Sequence, residues 1–309
     1  MRQIGNMEFS GNSEKGLPLP TKHTWNLMSK ILFDNSWVLF LFLTIYGNSS
    51  QERLRSSGTG SAITQGVGDT LRVLSYNIHH ANPPSEAGKI DMKAIARVIT
   101  ESEADLIALQ EVDVYTERSG KKLHQAEELG RLTGMHAYFY KSIDHQGGEY
   151  GNAILSRYPL LEKNGFELPY EEGTEPRTVL YVTVVTPQGR QVTFAGTHLD
   201  FKSEANTYQQ AKYLTEYFLS KDISPLILAG DLNTVSGESP IQYLDLHFQR
   251  SCLEDCPPTS PQINPKKEID FVMFRPGASL KLISHEVIDE PFASDHLPVL
   301  VTLEVAPMK

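Results

Sequence analysis

Cysteine is nearly absent from the 309-residue chain, which has two, Cys252 and Cys256, in the segment Cys-Leu-Glu-Asp-Cys. No second Cys or His pair stands near them at ligand spacing, which argues against a zinc cage. A local disulfide and a pair of free thiols both remain open. Long apolar runs are missing as well. Trp37 to Tyr46 is an uncharged apolar run of ten residues, about 15 Å as a helix, against a hydrocarbon core of about 30 Å. That length rules out a membrane span. Positive charge is not in excess, with 28 basic against 38 acidic residues and a net charge of −10. Sequence-independent wrapping of nucleic acid is disfavoured on that balance, although a local basic patch can sit on an acidic protein. Biased stretches are lacking too. At 40% hydrophobic and 21% charged residues the composition is that of a globular protein, with a length that allows one or two domains.

The apolar run has the length of a secretory signal h-region, with Lys30 before it and Gly47, Ser49 and Ser50 near a cleavage point. Met28 stands where such a peptide would start; the alternative is a buried core helix. Residues 1–50 are therefore expected to be an extension with an export signal. Residues 51–69, rich in Gly, Ser and Thr, are expected to be a flexible linker. Residues 70–309, with no internal linker or repeat, are expected to form one catalytic domain. Export would place it in the periplasm, at the cell surface or in the medium.

From Leu71 onward, strand-like runs alternate with amphipathic helices. The expected strands are Leu71–Ile78, Asp105–Val112, Asn152–Ser156, Thr178–Thr186, Gln191–His198, Pro225–Leu232, Ile269–Phe274 and Leu297–Val305. Several, such as Leu226-Ile-Leu-Ala229, are nearly continuous in aliphatic residues and read as buried on both faces. Met92, Ile95, Val98 and Ile99 give one apolar helical face to Asp91–Thr100, and Ala211, Leu214 and Phe218 give another to Asn206–Leu219, with Asn206 as its N-cap. The pattern is that of α/β layers, sheets covered by helices.

The informative feature is how these strands end. Leu74-Ser-Tyr-Asn77, Leu109-Gln-Glu111, Gly196-Thr-His198-Leu-Asp200, Gly230-Asp231-Leu-Asn233, Ile269-Asp270 and Ser294-Asp295-His296 each deliver a polar side chain after an apolar run. Singly, each reads as a turn former, a cap or a surface charge. Together, in one domain, they read as a site. Glu111 with the amide oxygen of Asn77 makes a partial oxygen shell of the kind Mg²⁺ prefers. Asp231 can orient or deprotonate a water. Asn233 can donate to a phosphate oxygen, and His198 and His296 can donate or shuttle protons. Asp295 or Asp270 can fix the tautomer of His296.

At these residues the sequence resembles the endonuclease/exonuclease/phosphatase superfamily, which includes DNase I-like nucleases, exonuclease III-like repair enzymes, neutral sphingomyelinases and inositol-polyphosphate 5-phosphatases. The likeness covers nearly all of Leu71–Val305, with six blocks in order. It implies a four-layer α/β (α+β) sandwich of two central mixed β-sheets flanked by helices, DNase I-like, with the site where loops of both sheets meet. It further implies Glu111 as the principal Mg²⁺ ligand, with Asn77 beside it and Mn²⁺ or Ca²⁺ as substitutes. Asp231, Asn233, His198 and His296 would form the hydrolytic centre, and Asp270 would support a histidine or the phosphate region. Asp295 would partner His296 or bind a second metal.

Tyr150-Gly-Asn152-Ala-Ile-Leu-Ser-Arg157 and Glu175-Pro-Arg177 are similar to blocks of the small bacterial branch, in which Asn152 would reach the substrate and Arg177 would hold a phosphate. A solvated charge at a strand start is the other reading of Arg177. That branch is also similar to the C-terminal domain of a eukaryotic lipid-remodelling protein linked to GPI anchors, which hints at lipid or small phosphoester substrates. In one departure, the helix after His198 reads Asn206-Thr-Tyr208-Gln-Gln210, where the family often has an Arg followed by Gln.

The expected function is hydrolysis of a phosphomono- or phosphodiester in a small molecule or lipid head group, by a monomer with no obligate protein partner. A secreted broad-specificity nuclease is the rival, with Arg118, Lys121, Lys122, Lys266 and Lys267 as a phosphate-tracking rim. An inactive binding module on the same fold is the third reading.

Overall fold

The computed structural model describes residues 69–277 and 279–306. The export segment at 37–46 and the linker up to residue 68 lie outside the described residues. Asp69, expected at the end of the linker, is instead the first residue of strand β1 (Asp69–Asn77). Its carboxylate accepts hydrogen bonds from the Thr186 hydroxyl and the Gln188 backbone N–H, which holds it in the fold.

Two six-stranded sheets pack face to face. The first runs β11 (Leu280–Val287), β12 (Val299–Val305), β1, β2 (Leu106–Val114), β4 (Gly148–Ser156), β3 (His136–His145). The second runs β5 (Glu162–Glu167), β6 (Thr178–Val185), β7 (Gln191–His198), β8 (Leu226–Asp231), β10 (Asp270–Phe274), β9 (Gln249–Arg250). Both are mixed, each with one parallel pair, β1 with β2 and β7 with β8. Alternation along the strands explains the layering. Leu71 and Val73 of β1 face the inter-sheet core with Leu180, Phe194 and Ile227, while Leu74 and Tyr76 face the opposite way. Helices α1 (Met92–Glu101) and α2 (Gln125–Thr133) cover that outer face through Ile95, Ile99 and Leu129. Helices α3 (Glu204–Ser220) and α4 (Ser239–Asp245) cover the second sheet through Leu214, Phe218 and Ile241. The result is the four-layer sandwich, and no described helix is long and apolar enough to cross a membrane.

Helix α1 is capped by Asp91, whose Oδ1 accepts from the Ala94 N–H at 3.0 Å. The expected cap of α3 is corrected. Ser203 caps it, accepting from the Asn206 N–H at 3.3 Å, and Asn206 lies within the first turn. Ser203 follows an extended residue path that frees its hydroxyl for the exposed N–H groups, whereas Asn206 turns its amide to Thr174 Oγ1 at 3.3 Å. Cys252 and Cys256 are joined in a disulfide.

The parallel pairs matter for function because their C-terminal ends share one edge of the sandwich. Asn77 pairs with Gln110 at the end of β1–β2, and His198 pairs with Asp231 at the end of β7–β8. Asp270, first in β10, lies directly opposite Asp231 in the antiparallel ladder. Gly230, just before Asp231, lets the strands approach this closely. A Cβ there would stand 2.1 Å from the Thr197 carbonyl oxygen.

Candidate active site

Glu111 reaches the site through a strained backbone. The β2–β4 register shifts between Leu109 and Val112, and Glu111 within that bulge has φ of 60°. A non-glycine residue there costs on the order of 1–3 kcal/mol, a strain that clusters at functional positions. The bulge aims the carboxylate along the strand end toward Asn77, whose Nδ2 donates to Glu111 Oε1 at 3.2 Å and to Asp231 Oδ2 at 3.1 Å. Asn77 Oδ1 accepts the His79 N–H at 3.1 Å, which fixes the amide orientation. The amide oxygen expected as a metal ligand therefore points away from Glu111, because the nitrogen is needed as a donor between two carboxylates.

Across the site, His296 Nδ1 is 2.8 Å from Asp270 Oδ2, and its Nε2 is 3.8 Å from Asp231 Oδ2. Of the two candidate partners of His296, the hydrogen-bonded one is Asp270. Thr259 donates its hydroxyl to the same Asp270 oxygen at 2.6 Å. Asp295 is half-buried; its carboxylate accepts from Ser294 Oγ at 3.4 Å, and its carbonyl accepts the Gln262 N–H. Ser294 Oγ also donates to the Asn77 carbonyl at 2.7 Å, tying the loop before β12 to β1.

Asn233 has φ of 49°, a left-handed conformation that asparagine tolerates. Its N–H donates to Asp231 Oδ1 at 2.9 Å, and its Nδ2 lies 2.9 Å from His198 Nε2 and donates to the Leu199 carbonyl. His198 Nε2 is also 3.5 Å from Asp231 Oδ2. Thus Asn77, Glu111, His198, Asp231, Asn233, Asp270 and His296 form one connected cluster drawn from both sheets. Asn152, on β4, is buried with its Nδ2 donating to the Thr178 carbonyl at 3.3 Å. Arg177 precedes that same Thr178 and is 3% exposed, so the solvated alternative does not hold. Its guanidinium carbon lies 6.0 Å from the Phe201 ring, and Nη1 lies 3.2 Å from Glu175. Arg118 is committed elsewhere: Nε and Nη2 donate to Asp113 at 2.7 and 2.8 Å. Lys121, Lys122, Lys266 and Lys267 are exposed.

Buried charges set the protonation states. Burial pushes Asp231 up, the Asp270 charge adds to it, and His296 with the Asn233 and Asn77 donors offsets part, leaving it at about 7. Burial would lower His296, but Asp270 and Asp231 outweigh it and raise the imidazole to about 10. Burial and then Arg177 hold His198 well below the usual range, so it is neutral. Burial would raise Glu111, yet His80, His198, the Asn77 amide and His79 hold it well below the carboxylate range. The cluster is therefore an ionised Glu111, a near-neutral base at Asp231 and an imidazolium at His296.

Asp231, Asp270 and His296 could by proximity hold a cation. The hydrogen bond from His296 to Asp270 commits that pair to each other, however, and makes a positioned acid–base relay the better account. Glu111 fits a hard cation better. It is ionised, half-exposed, and has one oxygen bonded to Asn77 while the other faces His80 Nδ1 at 3.9 Å.

Two supporting residues escaped the sequence. Thr259 lies in a Pro-rich turn with no strand-end signal. His80 stood in view, three residues beyond Asn77, but nothing in its spacing marked it. The Asp113–Arg118 pair is a stability element. Burial opposes the Asp113 charge, but Arg118, Ser119 and Thr116 hold its carboxyl below the ordinary range. Asp113→Asn is expected to cost about 2 kcal/mol at pH 7, below the full range for a buried pair because Arg118 is partly exposed. The depressed value means the contribution is complete above the unfolded aspartate pKa of about 3.9 and vanishes as pH falls through the folded one. Urea unfolding of both proteins at pH 7 and in acid checks it.

A buried relay of two carboxylates and an imidazolium, beside an ionised carboxylate, thus stands at one edge of two facing mixed sheets. The family model of the endonuclease/exonuclease/phosphatase family matches residues 74–296, and the chain belongs to that family. It is similar to YbhP, an uncharacterised protein of Escherichia coli (strain K12), at 27% identity over 175 residues, 53% of this chain and 67% of that protein. It is 21% identical over 187 residues to the inositol phosphosphingolipids phospholipase C of Schizosaccharomyces pombe, covering 57% of this chain and 42% of the relative. Among solved structures, an endonuclease/exonuclease/phosphatase of Beutenbergia cavernae superposes with a TM-score of 0.61 at 25% identity, over 77% of this chain and 72% of that one.

Proposed function

We propose that the chain is an exported, divalent-metal-dependent phosphoesterase acting on a phosphomono- or phosphodiester of a small molecule or lipid head group. The buried Asp231–His296–Asp270 relay, bridged by Asn77 to Glu111, carries this reading. Asp231 takes a proton from the attacking water, for which a value near 7 suits it. Asp270, with Thr259 behind it, holds His296 as an imidazolium whose Nε2 donates to charge developing on the phosphoryl oxygens. Neutral His198, the Asn233 amide and Arg177 are further donors, and the Asn152 amide is bonded to the carbonyl of Thr178, the residue after Arg177. Glu111 would hold a cation such as Mg²⁺ or Mn²⁺, with Asp295, next to His296 in sequence, as a second carboxylate, and such an ion would supply charge neutralisation at the phosphate.

An apolar portion of the substrate is supported by Phe201, 61% exposed, and Tyr170, 55% exposed. They stand on the loops that follow His198 and precede Arg177, and the Schizosaccharomyces relative is a phospholipase C of inositol phosphosphingolipids. Residues 37–46 direct export to the periplasm, cell surface or medium, and the protein works as a monomer.

A panel of sphingomyelin, phosphoinositide, bis-p-nitrophenyl phosphate, supercoiled DNA and single-stranded RNA tests the reading. Hydrolysis confined to the lipid or small substrates is expected. Nicking of DNA that weakens steeply with salt would instead favour the nuclease, through Lys121, Lys122, Lys266 and Lys267. Binding without any turnover in Mg²⁺, Mn²⁺ or Ca²⁺ would favour the inactive module. The pH profile of kcat/KM should rise as Asp231 ionises and fall as His296 deprotonates. Asp270→Asn removes the charge that raises both groups, so both limbs should move to lower pH. Unmoved limbs would contradict the relay.

A further inference from the structure

We propose that His80 is a nitrogen ligand to the cation held by Glu111, giving a mixed nitrogen–oxygen site that prefers Mn²⁺, Co²⁺ or Zn²⁺ over Mg²⁺. The inference rests on the metal-dependent reading and specifies the ion that reading leaves open. His80 Nδ1 is buried and has no hydrogen-bond partner among the described residues. It faces Glu111 Oε2 at 3.9 Å, too far for a hydrogen bond. Two atoms ligating one ion at about 2.1 Å each stand up to about 4.2 Å apart, so this gap accommodates one cation. Among the described residues neither atom has another hydrogen-bond partner, as befits donors kept for a ligand rather than for the fold.

The backbone holds His80 there at a cost. His79, His80 and Ala81 have successive φ values of 45°, 42° and 58°, three consecutive left-handed residues without a glycine. Side-chain clamps enforce the turn. Gln125 Nε2 donates to the His80 carbonyl at 2.7 Å, and Gln125 Oε1 accepts the Asp113 N–H at 2.8 Å. His79 Nδ1 bonds the Asn82 carbonyl at 2.9 Å, closing the turn from the other side. Glu111 is itself left-handed, so both facing groups are delivered by strained backbone from two separate segments. Imidazole is a good ligand for Mn²⁺ to Zn²⁺ relative to Mg²⁺, which keeps oxygen ligands and water. The ligand chemistry therefore predicts selectivity.

Metal binding read directly, without turnover, tests this. The full chain, freed of metal, is titrated calorimetrically with Co²⁺ and with Mg²⁺, and the Co²⁺ complex is followed by visible absorption. His80→Ala should weaken Co²⁺ binding at least about tenfold and alter the absorption, while Mg²⁺ affinity moves much less. His80→Asn, which suits a left-handed backbone, should fold like the wild type by thermal unfolding and show the same selective loss. Equal loss for both ions would make His80 only a positioning partner of Glu111 and overturn the proposal, as would no loss. Failure of the wild type to bind any cation would overturn the metal-dependent reading as well, whereas binding indifferent to His80 would overturn this inference alone.

Discussion

Asp231→Asn is expected to lower kcat by about 10³-fold, within the range of general acid–base contributions, while leaving the protein as stable as the wild type or more so. The two halves of that expectation share one cause. Asp231 is buried opposite Asp270, and its pKa is raised because its charge is unfavourable there. A carboxyl with a raised folded-state value stabilises the fold while protonated, below its unfolded pKa. That contribution is lost as pH rises through the folded value near 7. Asparagine mimics the protonated form and removes the like-charge clash; its one oxygen keeps the Asn233 N–H bonded to Oδ1, and the bond from Asn77 Nδ2 to Oδ2 is given up in exchange for the lost repulsion. It cannot accept a proton from water. Steady-state kinetics and thermal unfolding at pH 8 measure both halves. A variant that is inactive and also strongly destabilised would mean that Asp231 serves the fold rather than the chemistry. His296→Ala belongs to the same relay and should cost about 3–4 kcal/mol of transition-state stabilisation.

Glu111→Gln should have the second largest effect, with an expected loss of more than about 10²-fold in kcat/KM that rises in part with added metal. The substitution keeps the side-chain length and an oxygen for Asn77 Nδ2, at 3.2 Å in the wild type. It removes the charge that attracts a cation. The left-handed backbone at Glu111, φ of 60°, is a feature of the bulge and remains. The folded state should therefore survive and the deficit should lie in metal affinity, visible as a raised metal concentration for half-maximal rate. An unchanged metal requirement would move the cation elsewhere in the cluster, to Asp231, Asp270 and His296.

The sequence displayed the interior of this fold and concealed its margins. The eight expected strands are β1, β2, β4, β6, β7, β8, β10 and β12, the interior strands of the two sheets. The four unexpected ones, β3, β5, β9 and β11, are the four edges. Interior strands bury both faces and so carry continuous aliphatic runs. An edge strand such as Glu162–Glu167, exposed or half-exposed at every residue, has no such signal, and charged edges are the ordinary defence against pairing with other chains. The same logic hid α2 and α4, which are short.

The site was legible because strand ends are where buried periodicity stops, and each polar residue there stood out against it. What was not legible is geometry. Periodicity shows neither the bulge that turns Glu111 inward nor the amide orientation of Asn77. The choice between Asp270 and Asp295 as partner of His296 depends on a cross-strand register that only the folded sheet supplies. Thr259, which steadies Asp270, comes from a turn with no sequence mark at all.

The most direct test of a metal-dependent phosphoesterase is hydrolysis of bis-p-nitrophenyl phosphate by the full chain, before and after EDTA. Turnover that EDTA abolishes, that excess Mg²⁺ or Mn²⁺ restores, and that Asp231→Asn lacks under both conditions is the predicted result. Turnover indifferent to EDTA, or undiminished in Asp231→Asn, would contradict the account.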